Sequence, residues 1–195
     1  MFDKVVDDET FYDKEYFNDE FPNTPYYLSF RNCTFTNIVF SNTDLERVDF
    51  MSCKFKSCDF RNANFSNNGI KNLTFTNCNL LGIDFSSSTL IDSTINDSNL
   101  DYSNFSLVKF NNLKFNNCSL NYSSFNEVKF KKIEFNHCKL CNAEILHTSL
   151  NKIKLNTCDI TSIKVSLEDL RGVIVNMSQA LDLSLLLGIK IEESD

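Results

Sequence analysis

An apolar residue recurs at every fifth position of this chain, and this period constrains the fold more than any other feature of the sequence. Every residue number divisible by five from Phe30 to Val175 is Phe, Leu, Ile or Val, and all fifteen phenylalanines after Phe21 lie at this position. A period of five suits neither an amphipathic helix, which repeats near 3.6 residues, nor a strand, which repeats at about 2. Each pentapeptide is therefore predicted to form one short side of a coil, with its apolar residue pointing inward.

A second position, two residues earlier, is predicted to point inward as well, because it carries mostly small or aliphatic residues. It holds seven of the eight cysteines, and most of these fall into one column at multiples of twenty with Ser98 in the gap: Cys58, Cys78, Cys118, Cys138 and Cys158. A column that repeats at twenty predicts four pentapeptides per turn and a square cross-section. It also predicts stacked phenylalanines, with Phe105 over Phe125, Phe110 over Phe130 and Phe115 over Phe135.

The fold class predicted from this pattern is all-β: a right-handed quadrilateral β-helix with a short C-terminal capping helix. Residues 28–175 are expected to form the β-helix, since bare coil ends expose backbone groups and need covers. The acidic, aromatic residues 1–27 are expected to cover the first end. Residues 176–195 are expected to cover the second with a helix over Met177–Leu187, an N-cap at Ser178 and a stop at Gly188.

The net charge of −7 is concentrated at the two ends. Residues 27–175 hold fourteen acids against sixteen bases, so no direct contact with nucleic acid is expected from the total. Within the body, residues 72–108 carry acids but no Lys or Arg, whereas residues 109–164 carry nine Lys against four acids. The acids of the central band are the candidate partner-binding residues: Asp84, Asp92, Asp97 and Asp101.

The N-terminus lacks a basic and apolar leader, and no apolar stretch approaches the length of a membrane span, so a cytoplasmic protein without membrane contact is expected. In a reducing compartment the cysteines are expected to remain free thiols. The stretch from His137 to His147 contains a C-x2-C pair, but the repeat frame points Cys138 inward and Cys141 outward, so no metal site is expected. No triad, phosphate loop or carboxylate pair is found either, and neither a catalytic residue nor a cofactor is expected.

The pattern resembles the pentapeptide-repeat family, and NANF at Asn62–Phe65 matches its motif. The tail GVIVNMSQALDLSLLLGIKI at Gly172–Ile191 is similar to the C-terminal cap of the quinolone-resistance (Qnr-type) members. This resemblance implies a non-catalytic protein that binds DNA gyrase or topoisomerase IV as a DNA mimic and protects against quinolones. It also implies a homodimer formed through the C-terminal end, with an interface at Leu181, Leu185, Leu186 and Leu187.

A second hypothesis stays open beside the first. The repeat register has no insertion, whereas many Qnr-type proteins carry loops between coils that support topoisomerase protection, and a DNA mimic calls for an acidic rod. These two departures favour an interaction scaffold of the same fold with a different protein partner and no quinolone protection.

Overall fold

The computed structural model, which describes residues 6–23, 26–190 and 192, is a parallel β-solenoid of about eight coils with one short helix at its C-terminal end. The strands in the first half of the chain are β1 Glu9–Tyr12, β2 Glu15–Phe17, β3 Leu28–Arg31, β4 Thr34–Thr36, β5 Val48–Met51, β6 Lys54–Lys56, β7 Gly69–Lys71, β8 Thr74–Thr76 and β9 Thr89–Asn96. They are followed by β10 Lys109–Asn116, β11 Lys129–Asn136, β12 Glu144–Ile145 and β13 Lys164–Val165. The helix α1 spans Met177–Ser184, and a 3-10 turn spans Leu185–Leu187.

Each coil has four sides, which we name A to D. In one coil side A is 98–102, side B 103–107, side C 108–112 and side D 113–117, and the equivalent residues of other coils lie twenty positions away. The strand pairing shows this register directly, since Phe110 lies opposite Phe130 and Phe115 opposite Phe135. The predicted stacking at twenty is thus confirmed.

The core is filled by the side chains at every fifth position. The predicted ladders are present: ring centroids are 4.8 Å apart for Phe105 and Phe125, 5.8 Å for Phe110 and Phe130, and 5.3 Å for Phe115 and Phe135. Burying such rings removes their apolar area from water, which is the main stabilising contribution in a fold of this kind. Most of these positions are buried, and the exceptions are partly exposed: Phe130, Val165, Leu170 and Val175.

The second inward position is small and often polar because its side chain bonds to the backbone of the preceding coil. The thiol of Cys138 donates to the carbonyl oxygen of Phe115 at 3.5 Å, and the hydroxyls of Ser88 and Thr148 donate to Phe65 and Phe125 at 2.8 Å. Buried backbone carbonyls need such partners. All eight cysteines are free thiols, and only Cys141 is partly exposed.

The corners between sides place the last residue of nearly every pentapeptide in the left-handed region. Asn112 and Asn117 have φ of 60° and 52°, and Asn, Asp and Ser occupy most of the equivalent positions. Asn and Asp tolerate this conformation better than other side chains do. Their amides also form ladders, since Asn117 donates to Asp97 at 3.0 Å.

The corners are of two kinds. On sides A and B the backbone closes a turn, as when the N–H of Ser103 donates to the carbonyl of Leu100 at 3.1 Å and that of Val108 to Phe105 at 3.2 Å. On sides C and D of the middle coils the chain instead runs through as one bent strand, as in β9, β10 and β11. From Leu150 onward sides C and D also close turns, with Ile153 bonding back to Leu150 at 2.9 Å.

The described N-terminal residues form a further coil on the first end of the core, with a register of nineteen instead of twenty. Glu9 pairs with Leu28, and Glu15 with Thr34. Three aromatic side chains extend the ladders: Phe11 stacks on Phe30, Tyr16 on Phe35 and Phe21 on Phe40, with centroids 4.9, 5.0 and 4.9 Å apart.

The C-terminal helix lies over the other end of the core, but its cap differs from the prediction. Asn176, not Ser178, is the N-cap, since its side chain accepts from the N–H of Gln179 at 3.0 Å and Gln179 reciprocates in a capping box. The amide of Gln179 is buried and donates to the carbonyls of Leu155 and Cys158 at 2.9 and 2.7 Å. The helix is also shorter than predicted and ends at Ser184, although the left-handed Gly188 stops the 3-10 turn as expected. No helix in the described part of the chain has the length and apolarity to cross a bilayer.

Candidate partner-binding surfaces

The four-sided coil sorts the charged residues by sign. Over residues 28–167, sides C and D carry eleven Lys or Arg against four acids, and sides A and B carry eight acids against four Lys or Arg. We call sides A and B the acidic side. The near-neutral total of the body therefore hides one acidic and one basic half, and charges on opposite halves are screened from each other over a Debye length of about 8 Å.

Three of the four predicted partner-binding acids lie on or beside the acidic side, and one lies on the basic half. Asp84 lies on side B, Asp101 on side A, and Asp97 at the corner between sides D and A. Asp92 lies at the corner between sides C and D, on the basic half. The four acids lie close together in the sequence, but successive pentapeptides lie on different sides of the coil. The four carboxylates therefore cannot form one flat acidic surface.

Each of the four carboxylates also takes part in the coil's own hydrogen bonding. Asp84 accepts from the N–H of Ser86 at 2.8 Å, and Asp101 accepts from the hydroxyl of Ser119 at 2.6 Å. Asp92 and Asp97 accept from the amides of Asn112 and Asn117. An amide oxygen in place of any of them preserves these bonds and removes only the charge, which makes Asp-to-Asn variants clean probes of electrostatics.

Sequence reasoning missed an exposed aromatic pair on the acidic side. Tyr102 and Tyr122 stack in parallel at 5.0 Å, with their planes 4° apart and their side chains 62% and 53% exposed. Both are in the left-handed conformation, with φ of 60° and 58°, at corners where Asn is common. Bulky residues held there are strained, and such positions cluster at functional sites. The signal in the sequence was two tyrosines twenty residues apart at a corner position.

Neutralising bases are distributed unevenly along the acidic side. Asp59 is paired with Arg61 at 2.6 Å. The hydroxyl and N–H of Thr161 bond to Asp159 and hold the pKa of that carboxyl below its ordinary value. No Lys or Arg lies on sides A and B between residues 63 and 127, so Asp84 and Asp101 are left there without a neighbouring base.

The C-terminal end presents an apolar surface. The four leucines predicted for a dimer interface are all exposed, by 51% for Leu181, 56% for Leu185, 45% for Leu186 and 61% for Leu187. Beside them is a shallow groove of about 360 Å³ lined mainly by apolar side chains, including Leu167, Leu170 and Leu183. Adjacent exposed leucines at one end of a rod are typical of a surface that a partner covers.

The stretch from His137 to His147 does not gather metal ligands. Cys138 is buried in the core and bonds to Phe115, whereas Cys141 is partly exposed on side A. Among the residues that the structure describes, no three His, Cys, Asp or Glu side chains converge.

Comparisons with known proteins agree with the architecture. The sequence profile of a family described as "Pentapeptide repeat region" matches residues 28–105 and 48–125. No curated protein sequence matches the chain.

Solved structures of similar architecture include a trypsin-treated form of QnrB1, a plasmid-mediated fluoroquinolone resistance protein. It is 20% identical, with 93% of this chain and 100% of that chain covered and a TM-score of 0.40. HetL, a pentapeptide repeat protein involved in heterocyst differentiation regulation from the cyanobacterium Nostoc, is 16% identical, with coverages of 87% and 91% and a TM-score of 0.48. Rfr23 from the cyanobacterium Cyanothece is 11% identical, with coverages of 86% and 88% and a TM-score of 0.30.

Proposed function

Because this chain belongs to the pentapeptide repeat family, we propose that it is a non-catalytic cytoplasmic protein that binds DNA gyrase or topoisomerase IV and protects the enzyme against quinolones. The resemblance of its tail to the Qnr-type cap motivates this choice of partner. The observation that carries the proposal is the segregation of charge, because a rod with a nearly neutral body nevertheless presents a side on which acids outnumber bases by eight to four. The positively charged DNA-binding groove of a topoisomerase attracts a negatively charged surface.

The contact is proposed to centre on Asp84, Asp97, Asp101 and the Tyr102–Tyr122 pair. Asp84 lies on side B and Asp101 on side A, Asp97 ends side D at its corner with side A, and the stacked rings lie at the corner between sides A and B. Exposed tyrosines supply area at low entropic cost, and they pair well with the Arg side chains of a DNA-binding surface. Asp92 is not part of this surface, because it lies on the basic half.

A supercoiling assay with purified gyrase tests the proposal. Titrating the full chain with and without ciprofloxacin should relieve the drug's inhibition, or inhibit supercoiling at a stoichiometric excess. The triple variant Asp84→Asn, Asp97→Asn and Asp101→Asn should lose the effect, whereas the control Asp92→Asn with Glu134→Gln removes two acids from the basic half and should keep it. If the unmodified chain neither protects gyrase from ciprofloxacin nor inhibits supercoiling, the proposal is ruled out.

The C-terminal end is proposed to form a homodimer. Leu181, Leu185, Leu186 and Leu187 are exposed together, and a two-fold contact between two such ends would bury the same surface on both copies. Light scattering at micromolar concentration should give a dimer, and Leu181→Glu with Leu186→Glu should give a monomer. Leu107→Glu replaces an equally exposed leucine on the body and should remain dimeric.

A protein scaffold with another partner is the second candidate. It is favoured by the absence of any inserted loop between coils over residues 28–165. The two candidates differ in the supercoiling assay, since a scaffold with another partner changes neither supercoiling nor its inhibition by ciprofloxacin.

A further inference from the structure

The basic half of the rod carries a cluster of cations on its C-terminal coils. Sides C and D meet at a convex corner, and six lysines lie on or beside it; we call them the lysine edge: Lys109, Lys129, Lys131, Lys132, Lys152 and Lys154. Two of the fourteen acids of the body lie near this edge: Glu134 pairs with Lys114 at 3.2 Å, and Asp92, two coils before Lys132 in the corner column, accepts from Asn112. In the described chain none of the six lysines forms an ion pair.

Two of these lysines occupy positions that the coil would fill better with asparagine. Lys132 and Lys152 are left-handed, with φ of 60° and 65°, and they follow Asn112 in the same corner column. Asn112 donates its amide to Asp92 at 2.8 Å, a ladder that a lysine cannot continue. The chain therefore gives up a favourable conformation and a hydrogen-bond ladder at two successive corners, which points to a use for the cations themselves.

The backbone beside the lysine edge is also open. Strand β11 bends around the corner, whereas the next coil closes turns there, so the two backbones do not fit together. Among the described residues no backbone hydrogen bond joins β11 to residues 149–156. A cleft of about 350 Å³ separates them, lined by Ile133, Glu134, Phe135, Asn136, Lys152 and Lys154. Unpaired N–H groups next to lysines favour anions.

We propose that the lysine edge binds the phosphate backbone of double-stranded DNA. Phosphate contacts need cations in an extended array and no apolar anchors. Sides C and D fit this requirement, because none of their large apolar side chains between residues 108 and 157 is more than partly exposed. Protein interfaces, in contrast, are centred on buried apolar or aromatic residues.

The shape of the lysine edge separates DNA from an anionic membrane. Lys109, Lys129 and Lys131 lie on side C, Lys154 lies on side D, and Lys132 and Lys152 lie at the corner. A flat bilayer can meet the lysines of only one side at a time. A convex corner can enter a groove, and the major groove of B-DNA is about 12 Å wide with phosphates along both walls. This departs from the expectation, based on total charge, that the chain makes no direct contact with nucleic acid.

Fluorescence anisotropy of a labelled 20-base-pair duplex, titrated with the full chain between 50 and 200 mM salt, tests the proposal. Binding should weaken with salt, with a log–log slope of up to about −5 for six contacts. The variant Lys131→Gln, Lys132→Asn and Lys152→Asn should bind at least about tenfold more weakly with a slope shallower by about 2 to 3. Asn suits the left-handed corners, so this variant should fold at least as well as the unmodified chain, which circular dichroism and a melting curve verify.

The matched control is Arg61→Gln, Lys139→Gln and Lys164→Gln, which removes the same charge from the acidic side and should bind DNA within about twofold of the unmodified chain. Equal losses in both triple variants would show that only net charge matters and would overturn the proposal. No binding of the duplex at 50 mM salt would overturn it as well. Binding to phosphatidylglycerol-containing vesicles without binding to the duplex would also overturn it, in favour of a membrane surface.

Discussion

Phe115 lies almost parallel to Phe135, with ring centroids 5.3 Å apart and planes 5° apart. The two side chains are twenty residues apart in sequence and occupy the same side of successive coils. Their contact is the repeating unit of the core, since each ring is stacked on the next along the axis and meets the neighbouring columns edge to face. Stability in this solenoid therefore depends on columns, and a gap in one column affects the coils on both sides of it.

Phe115→Ala should destabilise the protein by about 3–5 kcal/mol, because it removes a fully buried ring and leaves a cavity between two coils. Urea denaturation followed by circular dichroism measures the change in unfolding free energy. Phe130→Ala is the control: Phe130 is partly exposed, so its removal should cost less. A loss under about 1 kcal/mol for Phe115→Ala would contradict its buried position.

Ser98→Ala should cost about 1–3 kcal/mol, because Ser98 is the polar link of the cysteine column. Its hydroxyl accepts from the N–H of Cys78 at 3.0 Å and donates to the carbonyl of Asn96 at 2.6 Å. In the variant the buried N–H of Cys78 loses its partner, whereas the carbonyl of Asn96 still accepts from the N–H of Asn77 at 3.1 Å. Ser98→Cys keeps a donor of the kind found elsewhere in the column and should cost less. A denaturation midpoint of Ser98→Ala equal to that of the unmodified chain would show that the hydroxyl is not needed.

The native protein should present one reactive thiol, that of Cys141. The other seven are buried, and burial raises the pKa of Cys53 to about 12. Partial burial and the Asp159 carboxylate also raise the pKa of Cys141, so its reaction with Ellman's reagent should accelerate up to pH 9 and beyond. Cys141→Ser should abolish this rapid phase, and Cys118→Ser should leave it unchanged. More than one rapidly reacting thiol would mean that the coils open.

Low pH should destabilise the protein, because it protonates the carboxylates of Glu46 and Asp159. Hydrogen bonds from Asn67 and Ser66 lower the pKa of Glu46, and those from Thr161 lower the pKa of Asp159. A carboxyl whose pKa is lower in the folded state contributes stability above its unfolded pKa of about 4, and this contribution is lost as pH falls through the folded value. The melting temperature should therefore drop below about pH 4.

Glu46→Gln with Asp159→Asn removes both titrating groups and should make the acid dependence shallower. Melting curves of the unmodified chain and the double variant between pH 6 and 3 measure the difference. Parallel curves would assign the acid sensitivity to other carboxylates.

Most of the architecture could be predicted because the repeat is local and strictly spaced. The inward positions, the four-sided coil and the phenylalanine columns follow from the numbering of Phe and Cys residues alone. The predicted N-cap, Ser178, was wrong. Ser178 and Asn176 are both suitable N-caps by residue type, and the choice between them depends on Gln179. The side chain of Gln179 donates to two core carbonyls and thereby fixes where the helix begins.

The candidate sites were harder to predict than the fold. Asp84, Asp92, Asp97 and Asp101 form a single band in the sequence, but the coil turns about 90° with every pentapeptide and places Asp92 on the other half. The register of twenty already places Tyr102 beside Tyr122 and Lys132 beside Lys152. The exposure of the two rings and the cleft beside the lysine edge are seen only in the structure.

The sequence by itself determined which side chains enter the core, because large apolar residues that recur every five residues are all buried when each pentapeptide forms one side of the coil. Only the tertiary structure decided how the surface is divided into an acidic and a basic half, and where the ladder opens between β11 and the following coil. The physical reason is that burial depends on each residue's own position in the repeat. Surface charge and backbone pairing depend instead on how successive coils fit together, and the change of corner geometry at Leu150 is a property of two adjacent coils rather than of either pentapeptide.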